Sequence, residues 1–207
     1  MRALTLAAMM LGALGTLALV ASSARADGLS GRETQRLLRG ESVARGQSVL
    51  VGDRKYVGGV SYVILDGSAD DVARLLADVN VWKRVLPKTR SARPVGTVGR
   101  DVLLELTNGT LLLEATYTMR LHRVADGVKF WLDRARHHDV KDAWGFVRIE
   151  PMTGGRSLVT YGVLIDVGGG VARELFEGPV RELAMSVPDR LRDLVIERAA
   201  AGQRASR

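Results

Sequence analysis

Between Lys88 and Asp166 the chain alternates short β-rich runs with turn-forming segments. The runs predicted as strands are Ser91–Val98, Asp101–Thr107, Leu111–Arg123, Val128–Arg134, Ala143–Glu150 and Ser157–Ile165. Asn108-Gly109, between the second and third runs, favours a two-residue hairpin turn, because both central positions of such a turn need positive φ. Strands joined in series by short turns pair with their sequence neighbours. The pattern therefore predicts an antiparallel meander.

The longest of these runs indicates which face of the sheet is buried. Apolar residues take every second position: Leu113, Ala115, Tyr117, Met119 and Leu121. Leu111 shares their face, and the other face carries Leu112 followed by the polar residues Glu114, Thr116, Thr118, Arg120 and His122. Successive side chains of a strand point to opposite faces. One face of the sheet is therefore predicted to be apolar, and another element must cover it.

The C-terminal segment is the element predicted to cover that face. After Gly168-Gly169-Gly170, apolar residues recur at helical spacing: Phe176, Val180, Leu183, Ala184, Val187, Leu191, Leu194 and Val195. A stripe of this length predicts a long amphipathic helix that packs on the sheet. Pro188 is expected to kink the helix, or to split it with Ser186 as a new cap. Residues 201–207 are predicted to be a frayed tail.

The segment before the meander predicts one strand and two short helices. The strand runs from Lys55 to Leu65 and ends at Asp66-Gly67. Ser68 is a candidate N-cap for the first helix, and Pro87 ends the second, because proline cannot continue the hydrogen-bond ladder. Residues 27–54 are polar and are predicted to be a lead-in with one short helix.

Residues 1–26 have the pattern of a secretory signal peptide. Met1 and Arg2 precede an apolar run from Ala3 to Val20, and Ala24-Arg25-Ala26 forms a small-x-small cleavage site. We therefore predict cleavage after Ala26 and a periplasmic or secreted protein. The alternative is an uncleaved helix that anchors the chain in the membrane, since a spanning helix needs about 20 residues.

Charge and cysteine content limit the classes of partner and chemistry. The chain has 30 basic and 23 acidic residues. Since residues 1–26 hold two of the basic residues and no acidic one, the remainder carries a net charge of +5. Such an excess would favour transient contact with an anionic membrane surface. The charges alternate in sign, which indicates a solvated surface, and no nucleic acid partner is expected. The absence of cysteine excludes disulfides, thiolate metal ligands and a cysteine nucleophile.

The order of strand, two short helices, meander and long C-terminal helix resembles the helix-grip fold of the START-like superfamily, also called SRPBCC or polyketide cyclase/dehydrase-like proteins. Residues 66–78 are similar to the family's first strand running into a helix that ends in an aspartate. Residues 79–87 are similar to its aromatic residue followed by a hydrophobic-proline step, although Lys83 stands where many relatives have proline. The predicted fold is α+β, with a curved antiparallel sheet of six or seven strands on the C-terminal helix, over residues 55–200.

The resemblance implies a cavity between sheet and helix, which the family uses to hold lipids, sterols, quinones, polyketides or other apolar molecules. The candidate wall residues are Trp82, Leu86, Leu104, Leu113, Tyr117, Phe130, Trp144, Tyr161, Phe176, Val180 and Leu183. For each of these residues, ordinary core packing is an equally good interpretation.

Few residues suggest catalysis or metal binding. His137 and His138 are adjacent and lack the i, i+4 spacing of helical zinc motifs, so neither a metal nor another cofactor is expected. Candidate acid or base groups are Glu105, Glu114, His122 and Asp133, and none is paired with a recognisable nucleophile. Gly168-Gly169-Gly170 lacks the Lys-Ser/Thr of a phosphate-binding loop.

We therefore predict an exported protein that is not an enzyme and that binds a hydrophobic small molecule or lipid. Two alternatives stay open. One is a START-like cyclase or hydrolase acting on an aromatic or polyketide-like substrate. The other is a membrane- or partner-binding module whose cavity is filled.

Overall fold

The computed structural model describes residues 28–109, 114–166, 168, 178, 181–182 and 185–205. Its helices are α1 (Gly31–Leu38), α2 (Ala69–Ala77), α3 (Val79–Val85) and α4 (Val187–Ala205). Its strands are β1 (Val43–Val51), β2 (Arg54–Leu65), β3 (Thr89–Val98), β4 (Asp101–Gly109), β5 (Glu114–Val124), β6 (Gly127–Leu132), β7 (Asp142–Met152) and β8 (Arg156–Asp166). The predicted signal peptide, residues 1–26, lies outside the described residues and stays a prediction. Within the described ranges, no helix is long and apolar enough to cross a membrane.

The eight strands form one sheet in the order β1-β2-β8-β7-β6-β5-β4-β3, with every neighbouring pair antiparallel. Strands β3 to β8 are the predicted meander, and β2 joins it by pairing with β8. The two short helices follow β2, and a helix ends the chain, as predicted. The α+β architecture with a curved antiparallel sheet is confirmed.

Residues 27–54 are more than the predicted lead-in. They contain helix α1 and also β1, which pairs with β2 along its whole length. With β1 the sheet has eight strands, whereas six or seven were predicted. The alternation of buried and exposed residues is absent from β1, where only Val43 is buried. An edge strand has one partner and little cover, so hydrophobic periodicity does not reveal it.

The hairpin between β4 and β5 is confirmed, but its predicted turn is misplaced. Asn108 and Gly109 belong to β4 and pair with Ala115 and Glu114, so residues 110–113, which lie outside the described residues, join the strands. The Asn108 side chain donates hydrogen bonds to the carbonyl of Pro87 and the hydroxyl of Thr89. These contacts with distant residues outweigh the local turn preference of the dipeptide.

Helices α2, α3 and α4 cover the inner face of the sheet, and the main core lies between them. The predicted alternation in β5 is confirmed here, since Tyr117, Met119 and Leu121 all lie on the core side. Ser68 caps α2 through the backbone N–H of Asp71, as predicted, and Asp78 caps α3 in the same way.

The C-terminal helix is split rather than continuous. Residues 178, 181–182 and 185 are helical, Ser186 forms a turn, and α4 begins at Val187. Pro188 is thus in the first turn of a new helix, where its missing N–H leaves no hydrogen bond unmade. The predicted frayed tail 201–207 is helical as far as Ala205. The run Ala199–Ala201 explains this, because alanine has the highest helix propensity.

The two faces of the sheet carry different clusters. On the outer face, α1 covers a small cluster formed by Leu37, Val43, Tyr62 and Leu158. Arg45 of β1 donates hydrogen bonds to Glu33 of α1 and so holds the helix against the strand. These bonds, together with those from Ser30, lower the pKa of Glu33 to about 2. Even positions of β2, β7 and β8 and odd positions of β6 face this outer side. Odd positions of β2, β7 and β8 and even positions of β6 face the main core.

Candidate ligand cavity

Three aromatic rings form the centre of the inner face. The ring centroid of Phe130 lies 6.0 Å from that of Tyr161, in a stacked arrangement, and 6.2 Å from that of Trp82, edge to face. The indole N–H of Trp82 donates to the carbonyl of Leu76, 3.1 Å away. Glycine at position 145 makes room for the Phe130 ring, since a Cβ there would lie 2.5 Å from its Cζ. The rings are held by packing and are fixed in orientation.

The structure brings six of the eleven predicted wall residues to the inner face. Trp82, Leu104, Phe130 and Tyr161 are buried in the main core, and Leu86 and Tyr117 pack against it with part of their surface accessible. Leu113, Phe176, Val180 and Leu183 lie outside the residues whose placement is described.

Trp144 was wrongly predicted as a wall residue. Ala143, Val147 and Ile149 of β7 point into the core, so Trp144 points to the outer face, where it is opposite Trp131. The outer face of β7 carries Phe146 beside Trp144, together with the charged Asp142, Arg148 and Glu150. Because Trp144 shares its face with these charged residues, the alternation along β7 could have indicated that Trp144 points outward.

Tyr117 packs against the main core and is only partly buried. Its side chain keeps accessible surface, yet burial raises the pKa of its hydroxyl to about 12. The Tyr117 hydroxyl donates to the side-chain oxygen of Asn108, at 3.2 Å.

Tyr161 provides a second hydroxyl on the inner face. The residue is only 3% exposed, and its hydroxyl has no hydrogen-bond partner among the described residues. Burial raises the pKa of Tyr161 strongly, and the nearby Tyr117 adds to the shift. A buried hydroxyl without a partner costs about 1–3 kcal/mol. This position therefore has an unmet capacity to donate a hydrogen bond.

The predicted acid and base candidates do not reach this interior. Glu105 and Glu114 form ion pairs with Arg93 and Arg90, and His122 contacts Asp101. All lie on the side of the sheet opposite the main core or at its rim.

Asp133 is also on the outer side. It accepts a hydrogen bond from Arg120 at 3.0 Å. Burial alone would raise the pKa of Asp133, but Arg120 and the backbone N–H of Ala135 outweigh burial and lower it. The carboxylate is fixed in a structural ion pair.

The remaining motifs show no chemical site in the described part of the chain. His137 is exposed beside Asp139, and His138 contacts the carbonyl of Val140. The described residues contain no group of three or more His, Asp or Glu side chains that could hold a metal. A small cleft beside Trp82, Leu121 and Arg123 has a volume of about 10 Å³. This is about the space of one water molecule, so the cleft is not a lipid site.

The sequence prediction missed Asn108, because the Asn-Gly pair was assigned to a turn. Its position could have been recognised from alternation, since residues 104, 106 and 108 share one face of β4. The link from Asn108 to Tyr117 and Thr89 was not predictable, because it joins three strands.

Comparison with known proteins identifies the fold. No protein-family model and no curated protein matches this chain. Among solved structures, the Zhui aromatase/cyclase from Streptomyces sp. R1128 has a TM-score of 0.59 at 16% identity, over 75% of this chain and 96% of its own. A STAR-related lipid transfer protein from Xanthomonas axonopodis has a TM-score of 0.54 at 17% identity, over 72% and 98%. A START superfamily protein from Mycobacterium smegmatis has a TM-score of 0.50 at 15% identity, over 65% and 97%. The chain has the START-like, helix-grip fold that its sequence predicted.

Proposed function

We propose that this protein binds a hydrophobic small molecule, such as a lipid, between the sheet and the C-terminal helix. The observation that carries the proposal is the apolar inner face, on which the partly accessible Leu86 and Tyr117 pack against buried residues that include Leu104, Leu106 and Met119. Burial of ligand hydrocarbon there would contribute about 25 cal/mol per Å². The shared fold with a STAR-related lipid transfer protein supports this function.

Native mass spectrometry with lipid extraction tests the proposal on protein purified gently from the envelope of its own host. We expect a stoichiometric apolar molecule to be released on denaturation. Ala92→Phe places a large side chain on the inner face, across Leu106 from Tyr117, and should reduce the bound fraction. Ala135→Phe, at an exposed position, is the matched control. A protein that is empty and takes up no neutral fluorescent lipid would refute the binding function.

We also propose that the protein acts outside the cytoplasm and carries its ligand there. The support is the signal-peptide pattern of residues 1–26. N-terminal sequencing of the envelope fraction should find Asp27 as the first residue. A chain that begins at Met1 in a membrane pellet would favour the anchored alternative.

A START-like enzyme is the second candidate, and the internal cluster of Asn108, Tyr117 and Tyr161 is the observation that favours it. An aromatase/cyclase shares the fold. The raised pKa of both phenols makes them poor bases at neutral pH, which favours binding over catalysis. Incubation with a polyketide-like substrate separates the two: an enzyme of the cyclase type would return a product lighter by water, and a binding protein would return the substrate unchanged.

Contact with an anionic membrane surface is a further part of the proposal. Trp131, Trp144 and Phe146 are partly accessible on the outer face, beside Lys129 and Arg148. Aromatic and basic residues together suit the interface of an anionic bilayer. The fraction of protein that sediments with anionic vesicles should decrease as the salt concentration rises. At a given salt concentration, this fraction should be lower for Trp144→Ala. Equal sedimentation with neutral vesicles would contradict this contact.

A further inference from the structure

The inner face of the sheet carries hydrogen-bonding groups whose capacity is not filled by other described residues. Tyr161 has no hydrogen-bond partner among the described residues, although it is nine-tenths or more buried. It stacks on Phe130 on the inner face, on the same side as Tyr117. A hydroxyl in such a position is stabilised only if another molecule provides an acceptor.

The hydrogen bonds of Asn108 determine whether the Tyr117 hydroxyl can donate to a ligand or accept from it. Both amide hydrogens are used, one by the carbonyl of Pro87 at 3.1 Å and one by the hydroxyl of Thr89 at 2.9 Å. The amide oxygen therefore faces Tyr117 and accepts the hydrogen of its hydroxyl. The oxygen of Tyr117 keeps free acceptor capacity, so Tyr117 is an acceptor and Tyr161 a donor.

The electrostatics of the cluster disfavour a charged ligand group. Desolvation is the main cause of the raised pKa of both tyrosines, and no cation among the described residues lowers either value. An ionised carboxylate placed beside them would face the same desolvation, with no cation among the described residues to offset it. A carbonyl or hydroxyl group has a much smaller desolvation penalty, and both can accept a hydrogen bond from Tyr161.

We propose that Tyr161 and Tyr117, with Asn108 positioning Tyr117, bind the neutral oxygen-bearing end of an apolar ligand, a hydroxyl or a carbonyl rather than a carboxylate. This inference rests on the proposed binding function and specifies the ligand class. A ligand hydroxyl accepts from Tyr161 and donates to Tyr117, whereas a carbonyl uses Tyr161 alone. The hydrocarbon part of the ligand lies along the apolar inner face.

Competitive displacement of bound Nile red, a neutral dye, tests this inference on the purified protein. The competitors are hexadecanol, methyl hexadecanoate, hexadecanoate and hexadecane, all at a pH where the acid is ionised. We expect hexadecanol and the ester to bind about tenfold more tightly than the acid, a difference of about 1.4 kcal/mol. Tyr161→Phe should weaken hexadecanol about fivefold, as expected for one neutral hydrogen bond, and should leave hexadecane unchanged.

Tyr62→Phe is the matched control, because Tyr62 is equally buried but lies in the outer cluster. It should leave every affinity unchanged. If the acid binds as tightly as the alcohol, or if Tyr161→Phe has no more effect than Tyr62→Phe, the ligand class is wrong while the binding function stands. If the wild-type protein takes up neither Nile red nor any competitor, the binding function itself fails.

Discussion

Several hydroxyl groups in the interior of this protein have no hydrogen-bond partner among the described residues. The hydroxyls of Ser61, Ser157 and Thr160 are fully buried without a hydrogen-bond partner, and Tyr161 has none among the described residues. The hydroxyls of Ser61, Ser157 and Thr160 lose their hydration on folding and regain no hydrogen bond. Thr160 faces the outer side of β8, beside Arg148 of β7, whereas Tyr161 faces the core. Substitutions at Thr160 and Tyr161 can therefore distinguish a hydroxyl that only lowers stability from one that also binds the ligand.

Tyr161→Phe should stabilise the ligand-free protein by about 1 kcal/mol, because it removes an unsatisfied hydroxyl and keeps the ring that stacks on Phe130. Urea unfolding of delipidated protein measures the change. A loss of stability would mean that the hydroxyl already has a partner in the empty protein.

Thr160→Val should give a similar gain of about 1 kcal/mol, since valine has nearly the shape of threonine. Unlike Tyr161→Phe, it should not change ligand affinity, because residue 160 points away from the core. The same urea unfolding and dye displacement experiments check both expectations. A weaker affinity in Thr160→Val would show that general loosening of β8, and not the Tyr161 hydroxyl, controls binding.

Two strand features determine how the sheet is held. In β2, Gly58 and Gly59 have φ values of 152° and 148°, which side chains rarely adopt. A Cβ on Gly59 would lie 2.0 Å from the carbonyl oxygen of Arg45 in β1. These glycines let β1 and β8 approach β2 closely. The second feature is Asp142, which accepts hydrogen bonds from Tyr56 of β2 at 2.7 Å and from Arg134.

Gly59→Ala should destabilise the protein by about 1–3 kcal/mol, the cost of forcing a side chain into this backbone conformation. The contact with Arg45 should also loosen the pairing of β1 with β2. Thermal unfolding and hydrogen exchange at β1 measure both effects. Gly31→Ala, in α1 with open space around it, should leave stability nearly unchanged. Equal effects of the two variants would contradict the role of Gly59.

Asp142 should make stability depend on acid pH. Burial alone would raise its pKa, but the hydrogen bonds from Tyr56 and Arg134 outweigh burial and hold the pKa below the ordinary 3.8. A carboxylate with a lowered folded-state pKa contributes stability above its unfolded pKa and loses it as pH falls through the folded value. The free energy of unfolding should therefore decrease below about pH 4.

Asp142→Asn tests this expectation, since it removes the charge that Tyr56 and Arg134 contact. It should cost about 1.5–3 kcal/mol at neutral pH, as for hydrogen bonds to a charged group, and should flatten the acid decrease. Urea unfolding between pH 2 and pH 7 measures both. An unchanged acid slope would assign the decrease to other carboxylates, Asp133 first.

At the scale of the whole molecule, ligand binding and folding should be coupled. The proposed ligand contacts the sheet on one side and the C-terminal segment on the other, so the unfolded chain cannot bind it. A ligand that binds only the folded state stabilises it by about 2.7 kcal/mol at one hundred times its Kd.

Hexadecanol at that concentration should therefore raise the Tm by roughly 5–10 °C for a chain of this size. Differential scanning fluorimetry of delipidated protein, with and without the alcohol, checks the shift. Tyr161→Phe should show a smaller shift at the same alcohol concentration. A Tm that does not depend on ligand concentration would contradict coupled binding.

The local sequence determined the elements of this protein. The alternation from Ala115 to Leu121, the caps at Ser68 and Asp78 and the break before Pro188 all depend on residues within one or two turns, or one strand, of each other. Hydrogen bonding and side-chain direction at that range follow from covalent geometry. The order of these elements was then enough to predict a START-like fold.

Only the tertiary structure decided which apolar face points inward and which polar groups meet. Trp144 lies opposite Trp131 because β6 and β7 pair in this register. Strand β1 has no periodicity, because an edge strand has little to bury. The contact of Asn108 with Thr89 and Tyr117 needs three strands in register. Such contacts join residues far apart in sequence, and no local pattern encodes the distance between them.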